Sequence, residues 1–170
     1  MNRTFFKKAG AFLALGLLLS PTLHATEPIV IPPPLRVSFI DRATATAQDV
    51  IDKAVNLLGI PYRFGGNTPE SGFDCSGFVR HVFRTGLGLI LPRSALEQSK
   101  TGQPVLSADL KPGDLVFFNT MRHAFSHVGI YLGNDQFVHA PRTGERVRVD
   151  SLSDNYWIQR FNGARRVNPE

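Results

Sequence analysis

The chain carries a single cysteine, Cys75, in the stretch Phe73-Asp74-Cys75-Ser76-Gly77-Phe78. Beyond it Phe78, Val79, Val82 and Phe83 recur on one helical face, which predicts a helix starting at or just before Cys75. A thiol there meets unpaired N–H groups and the positive end of the helix dipole, and both favour the thiolate. Such a nucleophile needs a base, and the base needs a partner that holds its tautomer and orientation. The candidates are His81, His123, His127 and His139. His81 lies too far along the cysteine's own helix to reach the thiol and is expected at a surface or boundary position. His123 falls in a polar loop near the site. His127 and His139 lie on two consecutive strand-like segments separated by Gly133-Asn134-Asp135. If those three residues form the loop, Gly129 faces His139 and His127 sits one diagonal step away on the same face. A two-residue loop would send the imidazoles to opposite faces.

The residue types alone leave other readings open. A lone cysteine can be a buried, inert thiol. Cys75, His123, His127 and His139 are also all zinc-ligand types, although Cys75 has no Cys-x-x-Cys companion and His127 opens a strand-like run.

Several elements must position these groups. Helical periodicity from Thr46, with Val50, Ile51, Ala54, Val55, Leu57 and Leu58 on one side, predicts a core helix capped by Thr46 and Asp49 and stopped at Gly59. The Cys75 helix should end near Gly86-Leu87-Gly88, and Ser94 with Glu97 marks the capping box of a short helix. Pro112-Gly113 forms the centre of a type II turn. Leu115 to Phe118, His127 to Leu132, Gln136 to Ala140, Arg146 to Val149 and Arg160 to Val167 read as strands. Helices first and an antiparallel meander second predict an α+β fold, with N-terminal helices packed on an antiparallel sheet.

The N-terminus has a different character. Asn2 to Lys8 is basic, Ala9 to Leu19 apolar, and Ala25 a small residue after a short polar stretch, so residues 1–25 read as a signal peptide. Cleavage there would leave no stable membrane span, since the apolar run is short for a spanning helix. Residues 26–45 begin as a Pro-rich spacer, and residues 46–170 form the folded domain. Loss of Arg3, Lys7 and Lys8 with the leader lowers the formal charge from +5 by three, to +2. That balance does not argue for nucleic acid. In an oxidising compartment a structural cysteine would have a partner, and Cys75 has none in the chain.

Pro61-Tyr62-Arg63-Phe64-Gly65-Gly66, the Cys75 stretch, Leu110 to Phe118, His127-Val128-Gly129-Ile130-Tyr131 and Phe137-Val138-His139-Ala140 resemble, in order, the motifs of the NlpC family. These are papain-like cysteine peptidases that cut bacterial cell-wall peptides. The resemblance spans about residues 46–167. It implies that Cys75 is the nucleophile, His127 the general base and His139 the residue orienting that base. It also implies that Tyr62 helps bind the oxyanion or substrate, with Asp74 and Ser76 as further substrate contacts. It calls for no cofactor and no metal. Its expected partners are peptidoglycan peptides and adaptor proteins of unknown identity, and its expected location is the periplasm. Binding without catalysis, or amidase or acyltransferase chemistry, are alternatives on the same fold. The chemistry of the groups leads to the expectation that Cys75 rests as a thiolate beside protonated His127.

Overall fold

The computed structural model describes residues 39–120 and 123–167; the expected signal peptide and the spacer up to residue 38 lie outside the described residues. Helix α1, Phe39–Val55, begins before the expected start at Thr46. The Ala43-Thr44-Ala45 stretch continues the helix, so Thr46 and Asp49 lie inside it and do not cap it. Val50 and Ala54 are buried, whereas Val55 and Leu58 are exposed, because the helix gives way to a turn after Val55 and the apolar stripe does not extend through it. Among the described residues, no helix is long and apolar enough to cross a membrane.

A small antiparallel pair, β1 (Asn67–Thr68) and β2 (Gly72–Phe73), leads into α2, Cys75–Leu87. Helix α2 ends as expected, with Gly88 left-handed at the C-cap and its N–H on the Arg84 carbonyl at 3.1 Å. Helix α3, Ala95–Gln98, starts with the expected Ser94–Glu97 capping box. The type II turn is present too: Gly113 has φ 93°, and Asp114 N–H donates to the Lys111 carbonyl at 3.0 Å.

The main sheet comprises β3 (Gln103–Val105), β4 (Leu115–Phe118), β5 (His127–Gly133), β6 (Gln136–His139), β7 (Arg148–Ser151) and β8 (Phe161–Arg166). All neighbours are antiparallel, in the order β3-β8-β4-β5-β6-β7. Strands β4 to β7 form the expected meander, but β8 returns to the far side of β4 and recruits β3 as an edge. Pro104 is tolerated in β3 because an edge strand has one side without a ladder.

Alternation sends Leu115, Phe117, Val128, Ile130, Val138 and Ala140 against Phe78, Val79, Val82 and Phe83 of α2 and Val50 and Ala54 of α1. The opposite face holds Val116, Phe118, Tyr131 and Phe137, covered by Trp157 from the short helix α4, Asn155–Ile158. Two buried clusters thus clamp the sheet, and both imidazole-bearing strands run through its centre.

The β5–β6 hairpin departs from its expected turn. Asn134 and Asp135 both have positive φ, at 50° and 57°, and Gly133 pairs with Gln136 around them, so the loop has two residues. A bulge between Tyr131 and Gly133 inserts the missing residue, and the ladder then runs Tyr131 to Phe137 and Ile130 to Val138. Beyond that point the register is the one a three-residue loop would have set, so His127 and His139 share a face. Gly129 lies between them in space. A Cβ there would sit 2.7 Å from the Phe137 ring and 3.2 Å from His139 Cβ, so only glycine lets the strands close at this point.

Candidate active site

Asp74 is the N-cap of α2: its Oδ1 accepts the Gly77 N–H at 2.7 Å and its Oδ2 the Gly65 N–H at 3.0 Å. Arg93 donates to both carboxylate oxygens and to Ser76 Oγ, the latter at 2.9 Å. Buried Gln98 donates to the Ser76 carbonyl at 3.1 Å and the Pro92 carbonyl at 2.9 Å. Two loops are thereby pinned to the start of one helix. The Gly65-Gly66 loop closes on α2 backbone to backbone, and a Cβ on Gly77 would lie 2.1 Å from the Gly66 carbonyl oxygen. Asp74 and Ser76 therefore sit buried in the wall behind Cys75, with their side-chain oxygens engaged by the protein.

Cys75 occupies the first position of α2, partly exposed. It opens on a cleft of about 990 Å³ also lined by Tyr62, Phe64, Arg93, His123, His127 and Trp157. The backbone amides of Val128, Ser76 and Cys75 favour the charged form of the thiol. His127 and His139 are buried, and His127 Nε2 meets His139 Nδ1 at 2.8 Å. His139 Nε2 in turn meets Asp150 Oδ2 at 2.9 Å. Trp157 stacks on His127 at 5.7 Å, stands edge-on to His139 at 5.1 Å, and donates its indole N–H to Asp150 Oδ2 at 3.2 Å. Of the four candidate histidines, two are joined. His123 is an exposed loop residue on the cleft rim, and half-buried His81 packs on Phe73 at 5.1 Å. The His127 and His139 nitrogens address each other, and among the described residues no three His, Cys, Asp or Glu side chains are grouped as metal ligands, which leaves the zinc reading without geometric support.

Burial, then the Asp74 carboxylate, push the Cys75 thiol up to about 11, outweighing the backbone N–H groups that favour the thiolate. Burial, then the neighbouring imidazole, hold His127 well below its ordinary value, and burial lowers His139 against the opposing bond to Asp150. Both shifts run towards the neutral thiol and the neutral imidazole, against the expected thiolate–imidazolium pair, because desolvation acts on both partners. Tyr62 is also raised, by burial first and with the Asp74 carboxylate adding to it, so its phenol keeps a proton to donate.

The resting state can be titrated directly, since the chain has no other cysteine. A group whose pKa is raised holds its proton through neutrality. The ultraviolet thiolate absorbance of wild type, read against Cys75→Ser, is expected to stay flat at neutral pH and rise towards a midpoint near 11. A midpoint below neutrality would instead mark a resting thiolate.

The family model described as NlpC/P60 family matches residues 59–166. The chain belongs to the NlpC/P60 family. Within it, the chain is 47% identical over 118 residues to the murein DD-endopeptidase MepS/murein LD-carboxypeptidase of Escherichia coli K12, covering 69% of this chain and 61% of that one. It is 46% identical over 127 residues to the gamma-DL-glutamyl hydrolase of Bacillus subtilis 168, covering 74% of this chain and 30% of that one. The chain thus spans less than two thirds of these relatives. Among solved structures, an NlpC/P60 family protein from Bacillus cereus ATCC 10987 superposes with TM-score 0.68 at 34% identity, over 72% of this chain and 40% of that one. The papain-like α+β class expected from sequence is the fold of this NlpC/P60 domain.

Sequence reasoning does not single out Asp150, Arg148, Trp157 or Arg93. The expected strand over Arg146 to Val149 stops one residue short of Asp150, which β7 includes. A signal exists in the register: β6 pairs Phe137 with Asp150 and His139 with Arg148, so Asp150 shares a face with His139. Reading it requires the length of the Pro141–Gly144 connection, which no local pattern supplies.

Proposed function

We propose that the chain is a cysteine endopeptidase acting on peptidoglycan stem or cross-bridge peptides. Cys75 is the nucleophile, His127 the general acid–base, and His139 orients His127. The observation carrying this reading is the meeting, in one cleft, of a helix-start thiol and a buried imidazole pair. Relatives of the chain bear the names of a murein DD-endopeptidase and a gamma-DL-glutamyl hydrolase.

From a neutral pair, attack and proton transfer are concerted: Sγ bonds the scissile carbonyl carbon as the thiol proton passes to His127. The oxyanion faces the Cys75 N–H and the protonated Tyr62 phenol. The His127 imidazolium, now useful because the charge it carries is matched by the oxyanion, protonates the leaving amine as the C–N bond breaks. Water then attacks the thioester as His127 takes its proton, and the C–S bond breaks as that proton returns to the sulfur, which frees the thiol and releases the acyl group as a carboxylic acid. Asp74 and Ser76 contribute by holding the α2 start against its loops and shaping the substrate-facing wall. The scissile bond is next to a D-amino acid, either D-glutamyl–diaminopimelate or diaminopimelate–D-alanine. The leader over residues 1–25 and the spacer ahead of α1 would deliver the domain to the periplasm, where that substrate lies.

Purified protein incubated with defined muropeptides is expected to yield fragments whose masses place the cut at one of these two bonds. Sedimentation with sacculi without new fragments would overturn the enzyme reading in favour of a binding module. Product masses showing ammonia release or acyl transfer would overturn the peptidase assignment.

A further inference from the structure

The hydrogen-bond chain through the imidazole pair ends on a residue that the proposed mechanism does not use. Asp150 sits on β7 with its side chain only 16% exposed. Four contacts converge on its carboxylate: Arg148 Nε on Oδ1 at 2.9 Å, and on Oδ2 an Arg148 terminal nitrogen at 3.0 Å, the Trp157 indole at 3.2 Å and His139 Nε2 at 2.9 Å. The guanidinium and the indole can only donate. Oδ2 therefore carries no proton of its own, and His139 can approach it only as a donor, through Nε2–H.

We propose that Asp150 is a positioning residue that decides which nitrogen of His127 takes the thiol proton. The inference rests on the assignment of His127 as acid–base, and it follows from the two ring–ring and ring–carboxylate contacts in sequence. With its proton on Nε2, neutral His139 presents a bare Nδ1. That lone pair, 2.8 Å from His127 Nε2, accepts a proton held there. His127 is then the Nε2–H tautomer, and Nδ1 is its basic nitrogen. One carboxylate thus sets two tautomers in series. Reversal of either would place a proton on His127 Nδ1 and remove the base.

The surroundings favour this arrangement. Burial opposes ionisation of Asp150, but hydrogen bonds from His139 and Arg148 hold its carboxyl well below the usual range. Arg148 is itself tied to Glu145, whose second carboxylate oxygen takes Arg142. Trp157 stacks on His127, packs edge-on with His139 and fixes Asp150 through its indole N–H. The charged groups acting on the imidazole pair are therefore Asp150, Arg148 and Glu145, with Cys75 across the cleft.

The test uses the full chain labelled with 15N-histidine, together with Asp150→Ala and Asp150→Asn. In wild type at neutral pH, the ring 15N shifts are expected to show both His127 and His139 protonated on Nε2 and bare on Nδ1. Asp150→Ala should lose that uniform pattern and lower kcat on a cleavable muropeptide by roughly 10- to 100-fold, with KM little changed. Asp150→Asn retains one oxygen that can accept from His139 Nε2–H and Trp157, while its amide nitrogen faces Arg148 and loses that pairing, so it should restore the tautomers and part of the lost kcat. A bland structural role would lower stability and activity together and would not be rescued through the tautomer signal. A wild-type spectrum with either ring protonated on Nδ1 would overturn the proposal, even if Asp150→Ala fails to fold. So would Asp150→Ala with wild-type kcat. Because the spectrum needs no substrate, it tests Asp150 separately from the peptidase reading, which fails on its own terms if wild type cleaves no muropeptide.

Discussion

Cys75→Ser is expected to lower muropeptide cleavage by roughly 10⁴- to 10⁶-fold without disturbing the fold. The substitution changes the reacting atom and little else. Position 75 is the first residue of α2, where a small polar side chain is well accommodated, and a hydroxyl nearly fills the space of the thiol, so little packed volume is lost. The helix start is held by Asp74, Arg93 and Gln98, none of which bonds the Cys75 side chain. A hydroxyl in this site keeps its proton more firmly than a thiol does, and His127, weakened as a base by its burial, is poorly able to remove it. Turnover of a defined muropeptide, measured beside the melting temperature, checks this. Retained cleavage would remove Cys75 from the chemistry, and an unfolded variant would identify it as a core thiol instead.

The second large effect is expected at His127. His127→Gln should reduce kcat by about 10²- to 10⁴-fold, the range for losing a positioned acid–base group. An amide can keep a hydrogen bond to His139 Nδ1, but it cannot take and return a proton at neutral pH. This variant will also lose stability, because His127 is buried and its ring stacks on Trp157 and contacts Phe118. A loss of about 1–3 kcal/mol is in keeping with truncating a packed ring in a core that closes only in part. Activity is therefore to be measured well below the variant's melting temperature. A variant with wild-type kcat there would exclude His127 as the base.

These two residues are legible in the sequence because each sits in a local pattern with a local cause. The helix at Cys75 follows from Asp74 as a cap and from the spacing of Phe78, Val79, Val82 and Phe83, all of which are buried. The strands bearing His127 and His139 follow from short apolar runs bounded by turn residues. In the sequence the shared face of the imidazoles is tied to a three-residue loop, and the chain reaches it by a different route. A two-residue turn at Asn134-Asp135 with an adjacent bulge leaves the same register as a three-residue loop. A bulge changes residue count without a signature in residue type, so the residues mislead about the turn and not about the pairing.

The start of α1 falls earlier than its residue pattern indicates, for a related reason. Thr46 and Asp49 have the spacing of a cap, but capping is decided by backbone conformation, and helical residues before Thr46 override the pattern. Strand β3 leaves no trace in the pattern because three residues including a proline carry no periodicity, and only pairing with β8 makes them a strand.

The stretch around Cys75 shows where the division lies. By itself the sequence determined that a lone thiol stands at a helix start, and that two histidines lie on neighbouring strands where they can meet. Those facts depend on interactions within a few residues or across one hairpin. Only the tertiary structure decided that desolvation pushes the thiol up and the imidazole down, since burial sums over every element that closes on them. It also decided that Arg93 braces Asp74 from a separate loop, and that Arg148 and Trp157 gather on Asp150 behind His139. Burial and long-range register are properties of the packed chain as a whole, and no local run of residues encodes them.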